Sequence, residues 1–310
     1  MSTEITEAFV KQFNSTVFHL SQQKGSRLRD KVRNEMQKGK SQFFDRIGLV
    51  SAVKRTTRHG DTPLNDTPHS RRMVTLNDYS RADLIDDPDR IRLLIDPTSD
   101  YVQAFTWGFG RAMDDEIIDK SDAAAKGGEE GGTDVSLGTG QTQMSVDGGA
   151  VDDLNIDALR RCKKKFDQAD VDESIPRHMA INASSLESLL NENEVQSNDY
   201  NSVKALVQGE VNSFMGFNFV RCEQLDNSSG SNQYSLTTGE YDGAGTSENG
   251  KRKIIAWAQD GLLLAVGQDR KARVSERDDK EYSTQVYMSM SIGSTRMEEE
   301  KVVITYCTEA

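Results

Sequence analysis

The chain has 310 residues, 35% of them hydrophobic, and a formal net charge of −12. This length can bury the core of one large domain or of two smaller ones. The sequence contains no run of about 18 apolar residues, which excludes a membrane-spanning helix. Residues 1–18 lack the basic and apolar stretches of a signal peptide, so we predict a cytosolic product.

The three cysteines, Cys162, Cys222 and Cys307, lie far apart and form no C-x-x-C pair. Their number is odd and their spacing matches neither a disulfide framework nor a zinc site. We therefore expect ordinary thiols that are partly buried.

The charge is distributed unevenly along the chain. Residues 24–58 carry eleven basic side chains against three acidic ones, whereas the whole chain is acidic. A basic arm on an acidic body can bind a polyanion or the acidic surface of another copy. A solvated helix face is an equally open interpretation of the same pattern.

The N-terminal third predicts an arm followed by a hairpin. Residues 1–42 are polar, with weak apolar periodicity that indicates a partly helical arm. Alternating residues over 43–53 predict a strand, and Gly, Pro, Asn and Asp over 58–70 predict an extended loop. Residues 71–78 can return as a second strand, so we predict a long hairpin over 43–80.

A long helix is predicted over 97–119. Asp96-Pro97 is a start signal, and Tyr101, Phe105, Phe109 and Met113 recur at helical spacing. The helix ends in the acidic residues Asp114, Asp115, Glu116 and Asp119. Carboxylates at this end oppose the helix dipole, so cationic partners are expected nearby.

The C-terminal half predicts a second domain and a set of closing strands, which makes the fold α+β. Stretches rich in small and polar residues predict a flexible loop or an exposed hairpin over 121–150 and a mobile loop over 224–250. The predicted elements are an amphipathic helix over 151–166, a strand over 176–181, helices over 184–190 and 199–208, a strand over 211–222, an apolar run over 254–266 with a turn at Asp260-Gly261, and strands over 284–292 and 302–308.

The candidate chemical sites in the sequence are weak. His59, Asp61, Asp66 and His69 could bind a metal ion, but a loop lacks the register that fixes metal ligands on a helix. The segment 245–252 nearly matches a phosphate-binding loop but lacks the Ser or Thr after its lysine. His19 and His178 have no nucleophile motif beside them, and consecutive carboxylates at 114–116 point in different directions. We therefore predict no enzyme, metal or cofactor.

A resemblance adds to this interpretation. The stretch from Arg58 through Arg71-Arg72 to Leu76, continuing over 101–118, resembles major capsid proteins of tailed bacteriophages, as do Ile255–Ala258 and Tyr282–Gly293. The resemblance implies the Hong Kong 97-type capsid fold. Its parts would be an N-terminal arm over 1–42, an extended hairpin loop over 43–80, a peripheral domain over 81–150 with a spine helix over 97–119, an axial domain over 151–250, and strands over 251–310 that return to the peripheral domain.

The resemblance also implies a function. Such a subunit self-assembles as pentamers and hexamers into an icosahedral shell around double-stranded DNA, in the host cytoplasm, and becomes part of the virion. A separate scaffolding protein and a portal are expected partners, and no membrane is. Three alternatives stay open: an encapsulin-like compartment, a metal-dependent hydrolase at His59, Asp61 and His69, and a nucleic-acid-binding arm over 24–58.

The contacts between subunits are predicted from charge. Extended arms bury area on neighbours, and opposite charges set the register of the contact. We expect basic residues of the hairpin to dock against acidic residues of a neighbour's helix. The candidates are Arg55, Arg58, Asp61, Arg71 and Arg72 on the hairpin and Asp114 and Asp115 on the helix. A segment 43–80 buried within its own subunit would contradict this hypothesis.

Overall fold

The computed structural model describes residues 22–54, 56–58, 66–86, 98–147, 150–151, 153–191, 213–225 and 251–308. The fold is α+β, as predicted. Its helices are α1 (Thr98–Asp122), α2 (Ile156–Gln168) and α3 (Ala183–Asn191). Its strands are β1 (Arg33–Met36), β2 (Ser41–Ile47), β3 (His69–Thr75), β4 (Asn77–Ile85), β5 (Ala125–Gly127), β6 (Thr133–Val135), β7 (Thr142–Met144), β8 (Val146–Asp147), β9 (Ala150–Val151), β10 (Arg177–Ile181), β11 (Ser213–Phe214), β12 (Phe217–Arg221), β13 (Lys251–Ala258), β14 (Leu262–Arg277), β15 (Ser283–Arg296) and β16 (Val302–Thr308).

Helix α1 packs on a four-stranded sheet with the order β1-β14-β15-β4, which we call the helix-backed sheet. Phe105, Phe109, Met113 and Ile117 recur every fourth residue and are buried on one side of α1. They pack against alternate residues of β15, among them Met288. This core therefore forms where the apolar side of the helix, which repeats about every fourth residue, packs against the apolar side of the strand, which repeats every second residue. The predicted helix is present and extends three residues beyond the predicted end.

A second core surrounds a six-stranded sheet with the order β11-β12-β10-β13-β16-β7. All five residues of the central strand β10 are buried, because strands flank it and the sheet is covered. Helix α2 begins after Asn155, whose side chain accepts a 2.8 Å hydrogen bond from the Ala158 N–H. At α3 the Asn182 side chain accepts from the Ser185 N–H at 3.1 Å. The helix thus begins at Ala183, one residue before the predicted start at residue 184.

The predicted hairpin is present, but its strands have different bounds. β2 and β3 pair antiparallel from Ser41 opposite Thr75 to Ile47 opposite His69, and β5 and β6 extend this sheet. The Gly48 N–H still donates to the Pro68 carbonyl at 2.8 Å. Proline has no N–H to donate in return, so the ladder ends there rather than at residue 53. Residues 77–80 belong to β4 and join the helix-backed sheet.

The C-terminal strands divide between the two sheets: β13 and β16 lie in the six-stranded sheet, and β14 and β15 lie in the helix-backed sheet. The assignment of residues 251–310 to the peripheral domain stays a prediction, whereas one strand prediction needs correction. The strand predicted over 211–222 is a hairpin of β11 and β12. Met215 and Gly216 both have positive φ, 52° and 88°, which turns the chain sharply between two strands. The predicted helix over 199–208 lies outside the described residues.

None of the helices in the described part of the chain combines the length and the apolar character that crossing a bilayer requires.

Candidate inter-subunit surfaces

The far end of the hairpin projects from the subunit. Beyond the β2–β3 ladder, Leu49 is 100% exposed, Val50 is 65% exposed and Val53 is 57% exposed. Ile47, at the end of the ladder, is also exposed. Apolar side chains that stand free on a projection favour burial against another molecule. We call residues 47–54 the hairpin tip.

The base of the hairpin is fixed by Glu299, which lies in the turn between β15 and β16. Its carboxylate pairs with Arg72 of β3, with the Arg46 guanidinium of β2 at 3.9 Å, and with Arg296 at 3.8 Å. Arg46 also donates to the Met297 carbonyl. Since Glu299 contacts both strands, it sets the direction in which the hairpin leaves the body.

Arg296 joins this base to α1. Its side chain is fully buried and donates to the carbonyls of Ser121 at 2.9 Å, Ala123 at 3.1 Å and Val135 at 3.0 Å. Burial lowers the pKa of Arg296 and the nearby Glu299 carboxylate raises it. The guanidinium therefore ties the end of α1 and strand β6 to the turn that holds the hairpin.

The N-terminal arm crosses α1 and is held there by Asp114. The Asp114 carboxylate accepts hydrogen bonds from the Ser26 hydroxyl at 2.5 Å and from the backbone N–H groups of Arg27 at 3.0 Å and Leu28 at 3.1 Å. One turn earlier, Gly110 lies so close to the arm that a Cβ there would be 2.4 Å from the Gly25 carbonyl carbon. The arm is thus part of the core, in which Leu28 is buried.

A groove of about 550 Å³ lies between α1, β4 and the arm, and we call it the helix groove. Its floor is aromatic: Tyr101 and Phe105 pack edge to face with ring centroids 6.4 Å apart. The Arg81 guanidinium lies over the Phe105 ring at 5.1 Å. Charged side chains form its rim: Arg81, Asp83, Arg111 and Asp115. An apolar floor with a charged rim suits the insertion of apolar side chains from a partner.

Beside the groove, Glu116 is used within the subunit. It accepts hydrogen bonds from the Tyr79 hydroxyl at 2.7 Å and from the Asn77 amide at 3.1 Å. Burial, together with this hydrogen bond to Glu116, raises the pKa of Tyr79. Tyr79 is therefore neutral at physiological pH and acts as a hydrogen-bond donor that orients the carboxylate.

A sequence model of the family described as phage capsid protein matches residues 5–309. The chain belongs to the phage capsid protein family. It is a structural subunit of a bacteriophage head shell and a component of the virion capsid, and copies of it assemble with one another. The resemblance stated from the sequence is confirmed. Membership of this family does not favour the two alternative functions, an encapsulin-like compartment and a metal-dependent hydrolase.

Solved structures agree with the family. The capsid protein is 18% identical to the capsid of the cyanophage P-SCSP1u, with a TM-score of 0.72 and coverage of 100% of this chain and 96% of that chain. It is 15% identical to the capsid of cyanophage Pam1, with a TM-score of 0.71 and 98% coverage of both chains. It is 8% identical to the capsid protein in the head structure of Helicobacter pylori bacteriophage KHP40, with a TM-score of 0.73 and coverage of 100% of this chain and 99% of that chain. These likenesses confirm the Hong Kong 97-type fold.

No curated protein sequence matches the capsid protein.

The structure corrects two of the predicted contact residues. Asp114 has no exposed surface and binds the arm of its own subunit, and Arg72 is 2% exposed and pairs with Glu299. Side chains buried in this way cannot reach a neighbouring subunit. Asp115 differs from Asp114 because the next helical position turns it outward, to the rim of the helix groove.

The other predicted contact residues remain candidates. Arg58 is exposed near the hairpin tip. Arg71 is exposed and pairs with Asp45, which is directly opposite it on β2, at 2.7 Å. Arg55 and Asp61 lie outside the described residues. The contact between subunits stays a prediction for Arg58, Arg71 and Asp115.

Sequence reasoning missed Glu299, Arg296 and Gly110. A signal for Arg296 was present, because the period of two places it on the same side of β15 as Met290 and Ile292. An arginine in an apolar row indicates a buried charge that needs partners. Glu299 lies in a turn and Gly110 inside a helix, and neither position carries a local pattern that predicts its partner.

The candidate chemical sites do not assemble in the part of the chain that the structure describes. No group of His, Cys, Asp and Glu there could hold a metal ion, and His59 and Asp61 lie outside it. Residues 245–250 of the loop-like segment also lie outside it. All three cysteines are buried and none of them forms a disulfide bond, and burial raises the pKa of Cys162 to about 11 and that of Cys222 to about 12. These two thiols are protonated and unreactive at neutral pH.

His178 is buried between β12 and β13, with its ring 5.9 Å from that of Trp257. Burial, and secondly the charge of Lys31, lower its pKa to about 4. An unfolded histidine titrates near pH 6.5, so between pH 6.5 and 4 the unfolded chain binds the additional proton. Stability must therefore fall as the pH falls through this range.

We predict that the titration of His178 lowers the free energy of unfolding of the capsid protein by about 3 kcal/mol as the pH falls from 6.5 to 4. Urea unfolding of the unassembled protein at pH 7, 5.5 and 4 measures this loss. The His178→Gln variant should lose less over the same range, because its amide does not titrate. Parallel pH profiles for the two proteins would contradict the assignment.

Proposed function

We propose that the capsid protein builds its shell by inserting the hairpin tip of one subunit into the helix groove of a neighbour. The observation that carries this proposal is the exposure of Leu49, Val50 and Val53 on a projection whose base is fixed. The groove offers the aromatic floor that such side chains require. Residues 48–58 can reach up to about 35 Å beyond the ladder, enough to cross onto an adjacent subunit.

Charge supports the same pairing. Lys54 ends the tip and Arg58 follows it, and both can pair with Asp83 and Asp115 on the rim of the groove, where Arg81 and Arg111 also lie. Exposed ion pairs contribute at most about 1 kcal/mol each, so they select the register while the apolar contacts supply affinity. Burying one leucine or valine contributes about 1.5–3 kcal/mol. Contacts of this size are individually weak, which allows misplaced subunits to dissociate before the shell closes.

The arrangement of the shell follows from the contact. A tip that binds a different surface on the next copy makes a heterologous interface, which closes into rings. The fixed base with an extended tip suits rings of five and six, because a small change at the tip accommodates both. Pentamers and hexamers of the capsid protein would thus form the icosahedral shell.

The remaining parts of the proposal rest on the resemblance to tailed-phage capsid proteins. The shell encloses double-stranded DNA, a scaffolding protein and a portal take part in its assembly, and assembly occurs in the host cytoplasm. The capsid protein acts through self-association, without a catalytic site or cofactor. The self-association of the capsid proteins in the matched shells supports this mode of action.

The proposal is tested by placing a charge in the tip. Val50→Asp should raise the protein concentration needed for shell formation at least tenfold, because a carboxylate cannot enter an apolar groove without a desolvation cost. Leu49→Asp should do the same. Light scattering measures assembly, negative-stain microscopy identifies shells, and circular dichroism verifies the fold.

Val274→Asp is the matched control, since Val274 is also half exposed but lies on β14, which belongs to a different sheet from the hairpin. It should assemble at the parent concentration. Shells formed by Val50→Asp and Leu49→Asp at that concentration would refute the insertion of the tip.

A further inference from the structure

Helix α2 carries a strongly basic exposed side in an acidic protein. Ile156, Leu159, Cys162 and Phe166 bury its opposite side in the second core. The helix has five basic residues and two acidic ones, whereas the whole chain has a net charge of −12. The exposed basic residues, which we call the α2 basic face, are Arg160, Arg161, Lys163 and Lys164.

Most of this charge is not neutralised within the subunit. Asp157 pairs with Arg160 at 2.8 Å, and Asp167 pairs with Arg177 at 2.9 Å. Among the residues that the structure describes, no carboxylate pairs with Arg161, Lys163 or Lys164. Three exposed cations within four residues therefore attract an external anion.

The N-terminal basic segment is different, because its arginines are largely used inside the subunit. Their partners are Asp269 for Arg29, Glu35 for Arg33 and Glu299 for Arg46. Arg27 donates to the Arg221 carbonyl at 2.7 Å. Several arginines of residues 24–58 are thus committed within the subunit, and the exposed lysines Lys38, Lys40 and Lys54 are spread along the chain. On α2, by contrast, three exposed cations lie within four residues.

The α2 basic face matches the spacing of a nucleic-acid backbone. Arg160 and Lys164 are one turn apart, about 6 Å along the helix, and Arg161 and Lys163 lie on either side of that line. Phosphates of one DNA strand follow each other every 3.4 Å along the duplex axis, so a face about 6 Å long covers about two intervals, which join three phosphates. Cations that contact phosphates bind without regard to sequence.

The composition of the face favours DNA over a protein partner. Protein interfaces are depleted of lysine at their centres and enriched in aromatic residues. A shallow depression beside these cations is lined by Arg160, Lys163, Lys164, Asp167, Gln168 and Met215, and of these six residues only Met215 is apolar. An acidic protein surface would gain little apolar burial here.

We propose that the α2 basic face is the surface through which the capsid protein contacts the double-stranded DNA inside its shell. This inference rests on the proposed function, in which the shell encloses DNA. The contact is electrostatic and independent of sequence, and it holds the genome against an otherwise acidic protein wall.

The test is a variant that carries Arg161→Gln, Lys163→Gln and Lys164→Gln, compared with the parent. Binding of the unassembled protein to a fluorescent 30-base-pair DNA duplex is measured by anisotropy over about 50–200 mM salt. Three phosphate contacts contribute about 2.7 to the slope of log affinity against log salt, or about a 40-fold loss of affinity over this range. The variant should lose this part of the slope.

The matched control carries Lys271→Gln, Arg273→Gln and Lys280→Gln, which remove three exposed cations from β14 and the turn after it. It has the same net charge as the α2 variant and should keep the parent slope. Equal slopes for the parent and the α2 variant would overturn the inference, as would equal losses in both variants.

Shell assembly separates this inference from the proposed function. The α2 variant should form shells at the parent concentration, because its tip and groove are intact. An α2 variant that fails to assemble but still binds DNA would show that the face contacts a protein, and would overturn the inference. Failure of the proposed function appears instead in the tip variants, whose DNA affinity does not depend on assembly.

Discussion

Replacing Asp114 with alanine is expected to lower the free energy of unfolding of the capsid protein by roughly 4 kcal/mol. The carboxylate is fully buried and accepts hydrogen bonds from Ser26 and from the backbone N–H groups of Arg27 and Leu28. Without it, the Leu28 N–H is left buried and unpaired, and an unpaired buried group costs about 1–3 kcal/mol. The loss should appear in urea unfolding of the unassembled protein.

Asp115→Ala is the matched control, because the next residue on the helix is exposed at the groove rim. Its effect on stability should stay within about 0.5 kcal/mol. Hydrogen exchange gives an independent measurement: the amides of Arg27 and Leu28 should exchange faster in Asp114→Ala alone. A stability loss no larger than that of the control would show that the arm does not depend on Asp114.

A steric variant tests the same contact without removing a charge. Gly110→Ala places a Cβ 2.4 Å from the Gly25 carbonyl carbon, so the arm must move away. Gly108→Ala meets only the end of the Arg111 side chain, at 3.7 Å, and should stabilise the helix by up to about 1 kcal/mol. Opposite signs for these two substitutions are expected from urea unfolding. Stabilisation by both would show that the arm tolerates displacement.

Periodicity predicted the parts of the fold that depend on local spacing. Helix α1 follows from apolar residues at every fourth position, and β15 from alternation over 284–292, because burial of one side is enough to specify each element. Periodicity could not predict the sheet to which β13 and β16 belong. Both strands contain a short apolar run, Ile254–Ala258 and Val302–Ile304, and nothing in a run of this length says which of two neighbouring sheets the strand joins.

The candidate site was predicted less completely than the fold, and the charges show why. Asp114 and Asp115 are adjacent in sequence and equal in chemistry, yet one is buried beneath the arm and the other lies on the groove rim. Their difference arises from a chain segment 86 residues away, Leu28, which covers one helical position and not the next. Apolar residues at the hairpin tip were visible in the sequence, but their alternation predicted a strand as far as residue 53, whereas the ladder ends at Ile47.

The hairpin base leads to the second large effect. Replacing Glu299 with alanine is expected to lower the free energy of unfolding by about 3–5 kcal/mol, because Arg72 and Arg296 stay buried without a carboxylate. Urea unfolding measures the loss. Glu300→Ala, one residue further and exposed, should cost about 0.5 kcal/mol or less.

Adding Arg72→Met to Glu299→Ala should recover part of the loss, since a buried charge without a partner is worse than an apolar side chain of similar length. The double variant separates two effects of Glu299, which are the neutralisation of the buried Arg72 charge and the positioning of the hairpin. Recovered stability without recovered shells would show that Glu299 also directs the hairpin tip toward its neighbour, because the tip and the groove are unchanged. If the double variant is no more stable than Glu299→Ala, the buried arginines are not what Glu299 stabilises.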